Sequence, residues 1–159
     1  MTRPALYDDL IMDHIRNARN YRVIENADHS AAGTNPLCGD ELTVFVRLDG
    51  GNRIADVSYQ CSCCGITMAS ASLMTEHIHG RSIDDVLAMT RAFRSVAGSV
   101  GAADDAQDAV VRTVLEMARQ YPARQRCAAL PWETLGAMLD VLPRHPEVSP
   151  LRQNRPGNA

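Results

Sequence analysis

The sequence predicts an α+β domain: a small antiparallel sheet of about three strands, with helices packed on one face. Two changes of period carry that prediction. Leu42, Val44, Val46 and Leu48 alternate with Glu41, Thr43, Phe45 and Arg47, the two-residue period of a half-buried strand. Asp49-Gly50-Gly51-Asn52 has turn composition, and Ala55, Val57 and Tyr59 alternate again, so the two strands read as an antiparallel hairpin. Beyond Gly65 the apolar residues recur at helical spacing instead. A chain of 159 residues is one domain, since a typical domain takes roughly 100–200.

Before the hairpin, Leu6, Tyr7, Leu10, Ile11 and Ile15 form one stripe of a helix over 6–17. The pattern weakens over 21–34, which reads as a loop or an irregular edge strand. After Gly65, the residues Ile66, Ala69, Leu73, His77 and Ile78 suit one helix, and Gly80 ends it. Ser82 and Asp85 resemble a capping box for the next helix, which carries Val86, Met89, Phe93 and Val96. Residues 98–105 form a polar, Gly-containing linker. A long helix over about 106–120 turns Val110, Val111, Val114, Leu115 and Ala118 inward, and Pro122 stops it. A last helix is expected from Pro131 to Leu142. The single domain therefore spans 1–142, and the tail 143–159, with four prolines and few apolar residues, is expected to be disordered.

Composition narrows the chemistry. The formal charge of −3 argues against a protein held to nucleic acid by phosphate contacts. All 16 basic residues are Arg, which excludes a Schiff-base lysine and a Walker A lysine together. No apolar run approaches the roughly 18 residues of a membrane span, and the N-terminus lacks a signal-peptide core. A soluble, cytoplasmic protein that binds neither nucleic acid nor membrane is the expectation.

Five cysteines, Cys38, Cys61, Cys63, Cys64 and Cys127, then become the central question. In a reducing cytosol, metal or thiol chemistry is a better account than a disulfide framework. Soft and acidic ligands collect at three places where structure changes type. Cys38 and Asp40 flank Gly39 in a turn; Cys61-Ser62-Cys63-Cys64 lies between the hairpin and a helix; Cys127 lies between two helices. Such widely separated ligands meet only through tertiary folding, a weaker signal than paired CxxC motifs. A free Cys is also often just a small buried hydrophobe, although a Pro- and Gly-containing turn is a poor place to bury Cys38. His77 and His79 point about 200° apart on a helix, which is wrong for joint ligation.

Three of these segments resemble the signatures of the iron–sulfur assembly scaffolds, the family of IscU, SufU and the N-terminal domain of NifU. They are Asn35-Pro36-Leu37-Cys38-Gly39-Asp40, the run from Cys64-Gly65-Ile66-Thr67 to Ser72, and Arg124-Gln125-Arg126-Cys127-Ala128. The opening helix and Asn17-Ala18-Arg19-Asn20 are similar to the family's start, with Ala18 in place of a proline. Arg126 stands where IscU proteins carry His, the Lys-containing chaperone segment is missing, and the stretch 97–121 looks like the SufU insertion. The resemblance is therefore to the SufU-like branch, and it implies an IscU/SufU-like fold.

It also implies Cys38, Asp40, Cys64 and Cys127 as metal ligands, with Cys38, Cys64 and Cys127 binding the cofactor. That cofactor is Zn²⁺ or a transient Fe–S cluster, most simply [2Fe–2S]. Two roles are open: a scaffold that accepts sulfur and assembles or passes on a cluster, or a zinc-dependent persulfide-carrying sulfurtransferase that activates the desulfurase. The implied partners are a SufS-like cysteine desulfurase and recipient apoproteins. Cys38, in the turn, is the expected sulfur acceptor. Cys64 precedes a helix whose positive dipole end favours a thiolate, and Arg124 and Arg126 offer charge support near Cys127. Cys61 and Cys63 are either tolerated small residues or auxiliary thiols that ligate while Cys38 carries sulfur. A local disulfide is disfavoured on this reading by the reducing compartment and by the crowding of Cys63 against Cys64.

Overall fold

The computed structural model describes residues 4–36, 39–93 and 108–142. Its elements run α1 (Pro4–Arg16), β1 (His29–Asn35), β2 (Asp40–Leu48), β3 (Ile54–Ser62), α2 (Gly65–Ile78), α3 (Ile83–Arg91), α4 (Ala109–Gln120), a 3₁₀ turn (Pro122–Arg124) and α5 (Gln125–Asp140). The linker 98–105, Val96 and the tail lie outside the described residues.

The sheet is antiparallel in the order β1-β2-β3, as the alternation predicts. Leu42, Val44 and Val46 of β2 and Val57 and Tyr59 of β3 are buried on one face, under the helices. On the opposite face Ser30, Ala32, Thr34, Glu41 and Gln60 are exposed. The weak segment before the hairpin proves to be a true edge strand, with His29 to Asn35 in register with Val46 to Asp40. Its composition hides it: Ala31 and Gly33 replace the bulky residues that mark a strand. A Cβ at position 33 would overlap the Thr134 hydroxyl of α5, so this glycine is what lets α5 lie close on β1.

Helix α2 departs most from the expected single stripe. Thr67, Ala69, Ser70, Ala71, Ser72, Leu73, Met74, Thr75 and Ile78 are all buried, because α2 is central, with α1, α4, α5 and β3 packed around it. Each buried hydroxyl ties it to another part of the chain. Ser70 donates to the Ala128 carbonyl of α5 (2.6 Å) and accepts from Trp132 Nε1 (3.0 Å). Ser72 pairs with His14 of α1 (2.6 Å) and accepts the Arg19 N–H (2.9 Å). Thr75 accepts from Asn20 (3.1 Å), and Thr67 donates to Asp40 at the start of β2 (2.9 Å). Small polar residues permit close helix packing only because these bonds satisfy them.

The helix ends follow capping rules. Gly80 takes a φ of +85°, and the Ser82 hydroxyl accepts the Asp85 N–H at 3.1 Å. Helix α4 begins at Ala109 rather than near 106, because Asp108 caps it by accepting from the N–H groups of Val110 and Val111. Asp108 also pairs with His77 at 2.8 Å, joining the last turn of α2 to the first of α4. Burial alone would raise the Asp108 pKa; the His77 bond and the two N–H groups outweigh it and hold the carboxyl below its ordinary value.

The last helix begins at Gln125, not Pro131, so Pro131 lies inside α5 and Cys127 lies in its first turn rather than between helices. A proline in a helix removes one N–H donor and crowds the carbonyl four residues back, here that of Cys127. The cost is tolerated because Ala128, Ala129, Leu130 and Trp132 bury a continuous surface, with Trp132 stacked on Phe93 at 4.8 Å.

Candidate metal centre

Three chain segments converge where β2 begins and α2 and α5 start. Asn35 and Asp40 face each other as the last pair of the β1–β2 ladder, and residues 36–39 connect them. Gly39 adopts a φ of +73° and donates its N–H to the Asn35 carbonyl (2.9 Å), so this connection needs a residue free to enter the left-handed region. Asp40 shares the inward face of β2 with Leu42 and Val44, which leaves its carboxyl group buried at 2% exposure. Cys38 belongs to this connection in sequence and lies outside the described residues.

Cys64 is the N-cap of α2, with an extended backbone and no side-chain cap bond of its own. Its N–H is taken by Asp40 Oδ1 at 3.0 Å. Thr67, one turn into the helix, donates to Asp40 Oδ2 at 2.9 Å, and its oxygen lies 3.5 Å from Cys64 Sγ. Cys64 Sγ also stands 3.9 Å from Asp40 Oδ2. Cys127 enters from the first turn of α5, is fully buried, and receives the Asn35 side-chain amide at 3.6 Å on its sulfur. The ligand atoms of Asp40, Cys64 and Cys127 all lie within 4.8 Å of one another. Two sulfurs and one carboxylate oxygen form a donor set that suits a borderline-soft divalent ion.

Of these three groups only Cys64 is partly open to solvent. The structure thus brings together three of the four ligands expected from the sequence. It adds two residues that sequence reasoning missed as participants, Thr67 and Asn35. A capping box has its hydroxyl at the N-cap and Glu or Gln three residues later, so the Cys64-to-Thr67 spacing carries no such signal; the Thr67 hydroxyl serves the incoming Asp40. Arg124 and Arg126 are exposed where the chain enters α5, and the charge of Arg126 acts on the carboxyl group of Glu133.

Cys61 and Cys63 correct an expectation. They are joined in a disulfide, and neither belongs to the ligand cluster. Residues two apart at the end of a strand project to the same side, and their Cα atoms stand 5.5 Å apart, inside the range a disulfide spans. Neither a reducing compartment nor the adjacency of Cys63 to Cys64 sets this local geometry.

A family model for the NifU-like N terminal domain matches residues 6–128. The chain belongs to that family. It is 36% identical over 131 residues to the zinc-dependent sulfurtransferase SufU of Bacillus subtilis, covering 82% of this chain and 87% of that protein. It is 27% identical over 146 residues to the iron–sulfur cluster assembly scaffold protein IscU of Thermotoga maritima, covering 91% and 99%. Among solved structures, an iron–sulfur cluster assembly scaffold protein for the SUF system from Fervidobacterium islandicum superposes with a TM-score of 0.71. It shares 31% identity, covering 87% of this chain and 99% of that one. The α+β SufU-like architecture expected from the sequence is thereby shown. No helix among the described residues is long and apolar enough to cross a membrane.

Proposed function

We propose that this protein serves iron–sulfur cluster assembly, accepting sulfur from a cysteine desulfurase and assembling or passing on a cluster. The convergence of Asp40, Cys64 and Cys127 from three separate motifs is the observation that carries the reading. Cys38 completes the set as fourth ligand and sulfur acceptor. A thiolate there attacks the terminal sulfur of the desulfurase's persulfide, the S–S bond breaks, and the desulfurase leaves as a thiolate. Cys38 suits this role because it is the one ligand expected on a connection rather than at a helix end. The cargo is a transient cluster, most simply [2Fe–2S], held by Cys38, Cys64 and Cys127, with Asp40 as the harder and more exchangeable ligand. A SufS-like desulfurase and recipient apoproteins are the partners this reading requires.

A second reading, a zinc-dependent sulfurtransferase that activates the desulfurase without holding a cluster, is favoured by the Bacillus subtilis relative and by a donor set that suits zinc. Zinc bound there would act as a Lewis acid that keeps its thiol ligands deprotonated. The residues' own part is to hold Asp40 by Thr67 and the Cys64 N–H, and to keep Cys127 dry. Metal analysis and ultraviolet–visible spectra of anaerobically purified protein separate the two. Iron with labile sulfide and a brown colour supports the cluster; a colourless protein with stoichiometric zinc supports the carrier. On either reading Cys38→Ser abolishes stimulation of the desulfurase with the fold intact. Normal stimulation by that variant, with persulfide found only on another cysteine, would overturn the assignment of Cys38.

A further inference from the structure

Among the described residues the Cys61–Cys63 pair belongs to no ligand cluster, and it stands immediately before one ligand, Cys64. Both residues are only partly buried, at the end of the sheet beside the start of α2. Cys61 shares the inward face of the sheet with its ladder partner Leu42 and packs against the edge of the core. The pair is also built asymmetrically. Cys61 is the penultimate residue of β3, and the Tyr21 hydroxyl clamps its peptide group, donating to the Cys61 carbonyl (2.8 Å) and accepting the Cys61 N–H (3.3 Å). Cys63 lies beyond the last strand residue and before the helix. One thiol is anchored and its partner sits on a short connecting segment, the arrangement a resolving thiol needs.

We propose that reduced Cys61 and Cys63 form a dithiol that converts sulfane sulfur arriving at this site into sulfide. This deepens the sulfur-accepting role and rests on it. The pair is the natural terminus for a persulfide: a cluster needs sulfur as sulfide, two electrons below the sulfane sulfur a persulfide carries. The Cys61 thiolate attacks the terminal sulfur of a persulfide R–S–SH, forming Cys61–S–SH and releasing the thiolate R–S⁻. Cys63 as thiolate then attacks the inner sulfur of Cys61–S–SH, forming the Cys61–Cys63 bond and releasing hydrosulfide. The dithiol loses two electrons and the sulfane sulfur gains them, so one turnover requires no other reductant. The bonded pair in the structure is the state in which that step ends. A further turnover requires reduction of the pair by a second dithiol, of the class that disulfide reductases supply.

The test uses the full chain, reduced, freed of reductant under anaerobic conditions, and mixed with glutathione persulfide as donor, against a blank without protein. The wild type should release sulfide in a burst of one equivalent per chain and then stop. Peptide mapping should find the Cys61–Cys63 bond newly formed. Cys63→Ser should lose the burst and retain one extra sulfur on Cys61; Cys61→Ser should lose both the burst and the trapped sulfur. Wild type whose Cys61–Cys63 bond is formed beforehand should also give no burst, which tests the step without a substitution. Circular dichroism and metal content report whether each variant keeps its fold and ligand cluster. An unchanged burst in either variant or in the pre-oxidised protein would overturn the dithiol role. Persulfide loaded on Cys38 by a desulfurase, together with that unchanged burst, would leave the acceptor reading standing and remove only this inference. A burst from glutathione persulfide with no sulfur taken from any desulfurase would do the reverse.

Discussion

Thr67→Val isolates what a single buried hydroxyl contributes to the metal centre. Thr67 is fully buried and donates to Asp40 Oδ2 at 2.9 Å. Valine keeps the shape and removes the donor, leaving one oxygen of a carboxyl group that is itself 2% exposed without its hydroxyl partner. A hydrogen bond to a charged group contributes about 1.5–3 kcal/mol, and an unsatisfied buried partner forfeits it. For a chain of this size each kcal/mol moves Tm by about 2–4 °C, so the apoprotein should melt about 3–12 °C lower. The loss should reach the metal as well, because Thr67 fixes the direction in which Asp40 points, and residues that orient a ligand typically govern about 10–100-fold in affinity. Calorimetry of the metal-free protein and competition with a chelator measure the two effects separately. Thr67→Ser should restore most of both, since it keeps the donor. A Thr67→Val protein that melts within about 1 °C of wild type and holds metal equally well would refute the reasoning.

Three further outcomes follow from the geometry. Burial first, and then the Arg19 charge, push the His14 pKa below its ordinary value against the opposing pull of Glu76 and Asp13. The folded state therefore binds fewer protons than the unfolded chain below about pH 6.5. Stability should be constant above that point and fall as pH drops toward the lowered value, by at most about 1.4 kcal/mol per pH unit for one proton. Urea midpoints across this range should fall less steeply for His14→Gln, and parallel curves would remove His14 as the cause. Asp40→Ala should slow release of a bound cluster, since the exchangeable oxygen ligand is gone; transfer to an apoprotein as fast as wild type would show that Asp40 is not the labile ligand. Gly33→Ala should cost about 1–3 kcal/mol through overlap with Thr134, and Thr134→Ala in the same chain should recover part of it, whereas additive losses would mean that the two do not meet.

How much of this was legible in the sequence depended on how local the cause was. The β2–β3 hairpin, the Ser82 cap and the stop at Gly80 each follow from a few neighbouring residues, because alternation, a hydroxyl before a helix and a left-handed glycine act within one turn of chain. The three ligand-bearing segments were also legible, through their resemblance to a family. What the sequence could not show was anything whose cause lies across the fold. Strand β1 has little strand character of its own and exists because Gly33 admits α5 and because β2 offers an edge. Helix α2 lacks an apolar stripe because it is surrounded, and its hydroxyls become intelligible only once Asp40, Ala128, His14 and Asn20 stand beside them. Pro131 marks a helix start by local rules and instead sits inside α5, since burial of the flanking residues outweighs one lost backbone bond. The cysteines divide along the same line. Sequence proximity groups Cys61, Cys63 and Cys64 as one cluster, while the fold pairs the first two with each other and turns the third toward Asp40 and Cys127. Side-chain direction at the end of a strand and the start of a helix decides that division, and it is set by backbone geometry rather than by distance along the chain.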